Sequence, residues 1–216
     1  MRMYERECEE IFKRLHDGLP AVWDGKTSIL YMKSHECTQW RQMEWPGFYF
    51  QFMCEQILGN NDFFKIPGPK YDNVVFDGFR TIPWDFKAHC NGATMVPTNG
   101  YAEICQALDE YGTVGFIIIC GNSEYDDNQS FKAWHDALKG GTSAYELERI
   151  KRNATSRRRK VNFAPTELVF AFVNKENIGC CGKFQEGMRN ADGTPRNPKV
   201  MLDLKSTDLH MIRYKF

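Results

Sequence analysis

The run Thr113–Cys120 (Thr-Val-Gly-Phe-Ile-Ile-Ile-Cys) constrains the fold of this chain more than any other stretch. It carries no charge, and its Val and Ile side chains are β-branched, which suits an extended strand. A strand that is apolar on both faces must be covered on both, so it belongs inside a sheet with layers on either side. It is the longest apolar run in the chain and is strand-sized, far short of the roughly 20 residues of a membrane helix.

The surrounding pattern supplies those layers. Tyr4–His16 sets Ile11, Phe12 and Leu15 among charges, which predicts an amphipathic helix ending near Asp17–Pro20. Glu36–Leu58 is rich in aromatics and predicts a helix that Pro46-Gly47 kinks or splits, followed by a turn-rich stretch at Ile66–Pro69. Asn73–Gly78 and Thr81–His89 read as two strands joined by a tight turn near Gly78–Arg80. Tyr101–Tyr111, Phe131–Leu138 and Ser143–Lys151 read as helices, Glu167–Asn174 as a strand and Lys199–Leu204 as a last strand. No linker or repeat divides the chain. The expectation is one α/β domain over 1–216, a central mixed β-sheet flanked by α-helices, with a loop-rich segment at 175–216.

Charge and cysteine usage narrow the function. With 28 basic and 28 acidic residues the net charge is zero, which argues against a nucleic-acid coat held by charge alone but allows a locally basic groove. Met1–Cys8 moves straight into charge without the apolar block of a secretory leader, and the eight cysteines form no CxxC pair. They are expected to be reduced, mostly buried thiols in a cytoplasmic protein with no membrane partner. No phosphate-binding loop of the form G-x-x-x-x-G-K-[ST] occurs, so no ATP-driven step is indicated.

The chemistry concentrates in Pro83-Trp-Asp-Phe-Lys-Ala-His89. Strand alternation turns Trp84, Phe86 and Ala88 to one face and Asp85, Lys87 and His89 to the other. Asp77 ends the preceding apolar run, and a hairpin folds it back beside Asp85. Two carboxylates and an amine then converge against an aromatic backing. Hard carboxylate oxygens suit Mg²⁺, and a neighbouring lysine can position water or stabilise charge on a phosphate.

At these residues the sequence resembles the PD-(D/E)XK nuclease superfamily, with Asp77 as the first acid and Asp85-Phe86-Lys87 as D-x-K. The first acid follows Phe76 where the motif has proline. The resemblance implies a restriction-endonuclease-like core, about residues 36–174, of helix, three-stranded meander, helix and further strand. On that pattern 101–111 would be a helix inserted between the second and third strands. It also implies Mg²⁺ (or Mn²⁺) held by Asp77, Asp85 and the Phe86 carbonyl, with Lys87 beside it. A further acid from the preceding helix is expected at Glu44 or Glu55; Glu44, in a dense aromatic block, is preferred.

The second feature is Arg149–Lys160, with seven basic residues and no acid. Asn153, Ser156, Arg157, Arg158, Arg159 and Lys160 are expected to contact double-stranded DNA, because arginine forks onto phosphates and guanine edges. Residues 36–174 as a whole resemble a type II restriction endonuclease, which implies a homodimer on a palindromic site. The rivals are a structure-specific repair or junction-resolving nuclease, and a non-catalytic DNA-binding domain in which Asp85 and Lys87 form a surface pair. The two classes separate on whether Asp77, Asp85 and Lys87 meet in space.

Overall fold

A computed structural model describes residues 2–67, 76–153, 158–190 and 193–216. Helices α1 (Arg2–Gly18), α2 (Gly25–Ser34), α3 (Trp45–Leu58), α4 (Tyr101–Tyr111), α5 (Ser130–Leu138) and α6 (Ala144–Lys151) alternate with strands. The strands are β1 (Trp23–Asp24), β2 (Gly78–Phe79), β3 (Pro83–Cys90), β4 (Met95–Gly100), β5 (Thr113–Asn122), β6 (Asn162–Asn174), β7 (Gly182–Phe184), β8 (Lys199–Asp203) and β9 (His210–Lys215). The class is mixed α/β. No helix among the described residues is long and apolar enough to cross a membrane.

The central sheet runs β1-β6-β5-β3-β2, with β9 also paired to β6. Its middle strand, β5, is buried on both faces. Ile117 and Ile119 join Leu168, Phe170 and Phe172 against α1, α2 and α3, contacting Ile11, Leu15, Ile29, Phe50 and Cys54. Phe116 and Ile118 join Val169 and Ala171 against Ile104 and Leu108 of α4 and Val200 and Leu202 of β8. The second layer includes a small sheet, β4-β8-β7.

β3 pairs parallel with β5, from Trp84 opposite Gly115 to Cys90 opposite Gly121. Parallel neighbours cannot be joined by a tight turn and need a crossover. β4 and α4 supply it, so 101–111 is the connection this pairing requires, and the expected meander is replaced by an antiparallel β2–β3 pair followed by a parallel neighbour.

Other boundaries differ for local reasons. Pro46 lies in the first turn of α3, where a missing N–H is no loss, so it starts the helix instead of kinking it. The hairpin turn is Arg80–Ile82, and Asn73–Val75 of the expected strand lie outside the described residues. α2 was not expected from its weak helix formers. Asp24 nucleates it by accepting from Thr27 N and Oγ1, both at 2.8 Å. The segment 175–216 is not simply loop-rich, since it contributes β7, β8 and β9, the last to the central sheet. All eight cysteines are free thiols, but only Cys8, Cys54 and Cys120 are buried; Cys180 is exposed and the other four are partly buried, so burial is less general than expected.

Trp84 is fully buried, and a methyl group at Gly115 would lie 2.3 Å from its ring. Gly115→Ala should therefore destabilise by about 1–3 kcal/mol through overpacking. Urea unfolding should show a lower midpoint with an unchanged slope; a wild-type midpoint would mean the indole shifts without cost.

Candidate active site

β3 carries the site because of its two faces. Phe86 packs inward against Phe50 of α3, with ring centroids 6.5 Å apart and nearly perpendicular, and against Phe64 at 6.3 Å. That contact seats α3 on the strand. Asp85 and Lys87 take the opposite face, on the register of Phe116 and Ile118. Asp85 is 2% exposed and Lys87 retains 27% of its side-chain exposure, so the pair is largely internal, with Lys87 the more exposed member.

Asp77 is fastened at the end of the hairpin. Its N–H donates to the Trp84 carbonyl at 2.9 Å, continuing the β2–β3 ladder by one bond. Its Oδ2 accepts from Phe86 N at 2.7 Å, and its Oδ1 accepts from Gln51 Nε2 at 2.8 Å. Gln51 also donates to Glu55 Oε1, one helical turn on, at 3.1 Å. Lys87 Nζ forms an ion pair with Asp85 Oδ2. The structure thus joins Asp77, Asp85 and Lys87, with Gln51 and Glu55 behind Asp77.

The charges are unbalanced, because two adjacent carboxylates share one ammonium. Burial, and next the Asp85 charge, hold the Asp77 carboxyl well above the usual carboxylate range, against the lowering effect of Lys87 and the Phe86 N–H. Burial also raises Glu55, opposed by its bond from Gln51. Burial alone would lower the Lys87 ammonium, but Asp85 and Asp77 together outweigh it and raise the group above its ordinary value.

Glu44 is placed elsewhere, which corrects the preference among the helix acids. It precedes α3 and pairs with Lys160, whose carbonyl also accepts from Trp45 Nε1 at 2.8 Å. Gln51 lies seven residues further along, about 10 Å at 1.5 Å per residue. Glu55, the other candidate, is linked to Asp77 through Gln51, which donates to both. Gln51, an amide, is not among the expected acids; its four-residue spacing from Glu55 is the sequence signal that joins it to the site.

The basic run is also less open than its composition suggests. Arg149 pairs with Glu146, Lys151 with Glu148, Arg158 with Asp127, and Lys160 with Glu44. Arg158 is exposed and lies over the Tyr125 ring at 5.1 Å, whereas Arg159 is 6% exposed, not part of a solvated loop. Asn153 is exposed in a left-handed conformation just after α6 (φ 51°). Ser156 and Arg157 lie outside the described residues.

Among the described residues no group of three or more His, Cys, Asp and Glu side chains forms a metal-ligand set. Mg²⁺ commonly takes only one or two carboxylates, the rest being water and substrate oxygens, and Asp77 with Asp85 meets that requirement. The placing of Asp77 and Asp85 together on one hairpin, with burial and then the Asp85 charge raising Asp77, is the observation that fits a cation. The Phe86 N–H faces Asp77, and the N–H and C=O of one strand residue leave on the same side, so its carbonyl faces that edge as well. Comparisons of the chain with protein-family models, curated proteins and solved structures find no match.

A raised Asp77 means that the folded protein keeps a proton which the unfolded chain releases above about pH 4. That group's contribution to stability is therefore lost as pH rises from there through its folded value. Asn cannot ionise. Relative to wild type, Asp77→Asn should gain stability between pH 4 and pH 8, on top of a constant cost for an altered hydrogen bond. Thermal unfolding across that range in EDTA checks it, and a difference independent of pH would contradict the raised carboxyl.

Proposed function

We propose that this chain is a Mg²⁺-dependent nuclease that hydrolyses phosphodiester bonds in double-stranded DNA. In its fuller form the proposal is a type II restriction endonuclease of the PD-(D/E)XK superfamily, cutting at a short specific site as a homodimer. The observation that carries it is the meeting of Asp77, Asp85 and Lys87 on one hairpin. An Asp85 buried to 2% counts against the rival in which Asp85 and Lys87 are a surface pair. The helix leaning on the hairpin and the sheet that continues through β5 are consistent with a restriction-endonuclease-like core.

Asp77, Asp85 and the Phe86 carbonyl would hold the cation, Mg²⁺ or Mn²⁺. When bound there, it supplies Lewis acidity toward a phosphoryl oxygen and lowers the pKa of water. The chain's own groups have separate tasks. Gln51 and the Phe86 N–H fix the orientation of Asp77. Asp85 keeps Lys87 protonated, so Lys87 acts as a cation and hydrogen-bond donor toward the charge that develops on the phosphate, not as a base. Arg158, exposed and able to exchange Asp127 for a phosphate, is a residue of the basic run that would touch DNA.

Incubation of the purified protein with a mapped plasmid and Mg²⁺ tests the proposal. Discrete fragments that disappear in excess EDTA are expected; intact plasmid under all conditions would overturn it. Lys87→Ala and Asp85→Ala should each slow cleavage at least about 100-fold, or about 2.7 kcal/mol of barrier, while DNA binding persists. Gln51→Ala should cost about 10–100-fold, as groups that orient a ligating side chain do. Glu44→Gln should cut at close to the wild-type rate, because Glu44 lies at the far end of α3. Near-normal cleavage by folded Lys87→Ala would remove this strand from the chemistry.

A further inference from the structure

In the basic run, Arg159 belongs neither to the surface ion pairs nor to the cluster at Asp77. Arg159 is 6% exposed, its Nε is buried without a hydrogen-bond partner, and its guanidinium makes no ion pair among the described residues. A buried guanidinium is costly unless something supplies the missing acceptors. Arg159 lines a cavity of about 580 Å³ together with Arg41, Lys139, Thr142, Ser143 and Glu146.

The charges on that wall are unevenly committed. Lys139 is held by Asp136 at 2.8 Å. Glu146, the acid on the wall, receives two bonds from Arg149, at 2.8 and 2.6 Å, and faces Lys132 at 3.7 Å. Arg41 is exposed, with its guanidinium 4.8 Å from the Trp40 ring and no acid partner among the described residues. Two guanidinium groups therefore line the cavity with no ion pair among the described residues, Arg41 beside the Trp40 ring and Arg159 near enough to Glu146 to help lower that carboxyl. The N-terminus of α6 opens on the same space through Ser143, which caps Glu146 N at 3.3 Å. Guanidinium forks and helix N-termini both favour an oxyanion.

We propose that this cavity binds a phosphate monoester of nucleotide size, its phosphoryl group shared between Arg41 and Arg159. Two forks match the several oxygens of a phosphate better than one carboxylate does. The volume falls within the roughly 300–1,000 Å³ of small-molecule sites, more than a bare ion occupies, and Gln42 and Thr142 offer polar groups to the remainder of the ligand. The site adjoins Met43, ahead of α3, whereas Gln51 and Glu55 carry the Asp77 cluster two to three turns later. It is therefore separate from the phosphate that Lys87 would meet, and it stands whether or not that cluster cleaves DNA. A free nucleotide and the 5′ end of a strand share this phosphate chemistry.

Calorimetric titration with deoxyadenosine 5′-monophosphate, in EDTA and at low salt, tests this. Saturable binding at one site is expected, with no binding of adenosine. Arg159→Gln and Arg41→Ala should each weaken it at least about tenfold, and Asp85→Ala should leave it unchanged. Arg41 is exposed, so its variant stays informative if Arg159→Gln folds poorly. Competition by a 5′-phosphorylated oligonucleotide, but not by its 5′-hydroxyl form, would support the site and assign it to strand ends; competition by neither would support it as a free-nucleotide site. Equal affinity for adenosine and its monophosphate, wild-type affinity in folded Arg41→Ala, or no binding of any phosphorylated probe would overturn it.

Discussion

The parallel pairing of β3 with β5 is the constraint on which the rest of the fold depends. β5 is apolar on both faces, so it has to lie between two layers, and a parallel neighbour obliges the chain to leave the sheet and return. The return path, β4 and α4, then covers one face, and α1 to α3 cover the other. β3 inherits a consequence. Its Phe86 side is drawn into the helical layer, so the alternate positions, Asp85 and Lys87, are taken inside the protein beside β5 rather than left at the surface. Water alone does not solvate these charges, which makes each one sensitive to its neighbours.

Asp77 shows how that sensitivity is managed. A main-chain N–H, from Phe86, and a side-chain amide, from Gln51, each bind one of its oxygens. These donors favour the ionised form, burial and Asp85 oppose it, and the opposition wins. Lys87 lies on the other side of the same balance, with its charge secured by the acids that disfavour one another. The cluster thus holds two carboxyl groups that disfavour each other's ionisation beside one firmly protonated amine, and a hard cation, which would let both acids ionise, is its natural partner under the proposal.

How much of this was legible in the sequence depended on whether the deciding contact was local. Val114–Cys120 declared its strand because every side chain in it is apolar, and the two faces of Pro83–His89 followed from alternation alone. The Asp77 hairpin was legible for the same reason, its partners being within ten residues. Pro46 was misread because a proline that starts a helix and one that breaks it differ only in what precedes them. β9 carries Arg213 and Lys215 among its apolar residues, as a strand outside the double-covered centre can, and so gave no apolar signal. Glu44 was misassigned because its partner, Lys160, lies 116 residues away, and no spacing rule reaches that far. The burial of Arg159 was hidden likewise, since a basic run looks equally solvated whether or not one member turns inward.

The attachment of α3 has a mechanical consequence. Its N-terminal end is clamped twice at one point, by the Glu44–Lys160 ion pair and by the Trp45 indole on the Lys160 carbonyl. Seven residues past Glu44, Gln51 aims at Asp77. A 14-residue helix is a stiff rod about 20 Å long, so its two ends cannot shift independently. Lys160 follows Arg159 in sequence, so the same short segment walls the cavity and anchors the start of the helix whose middle turn holds Asp77.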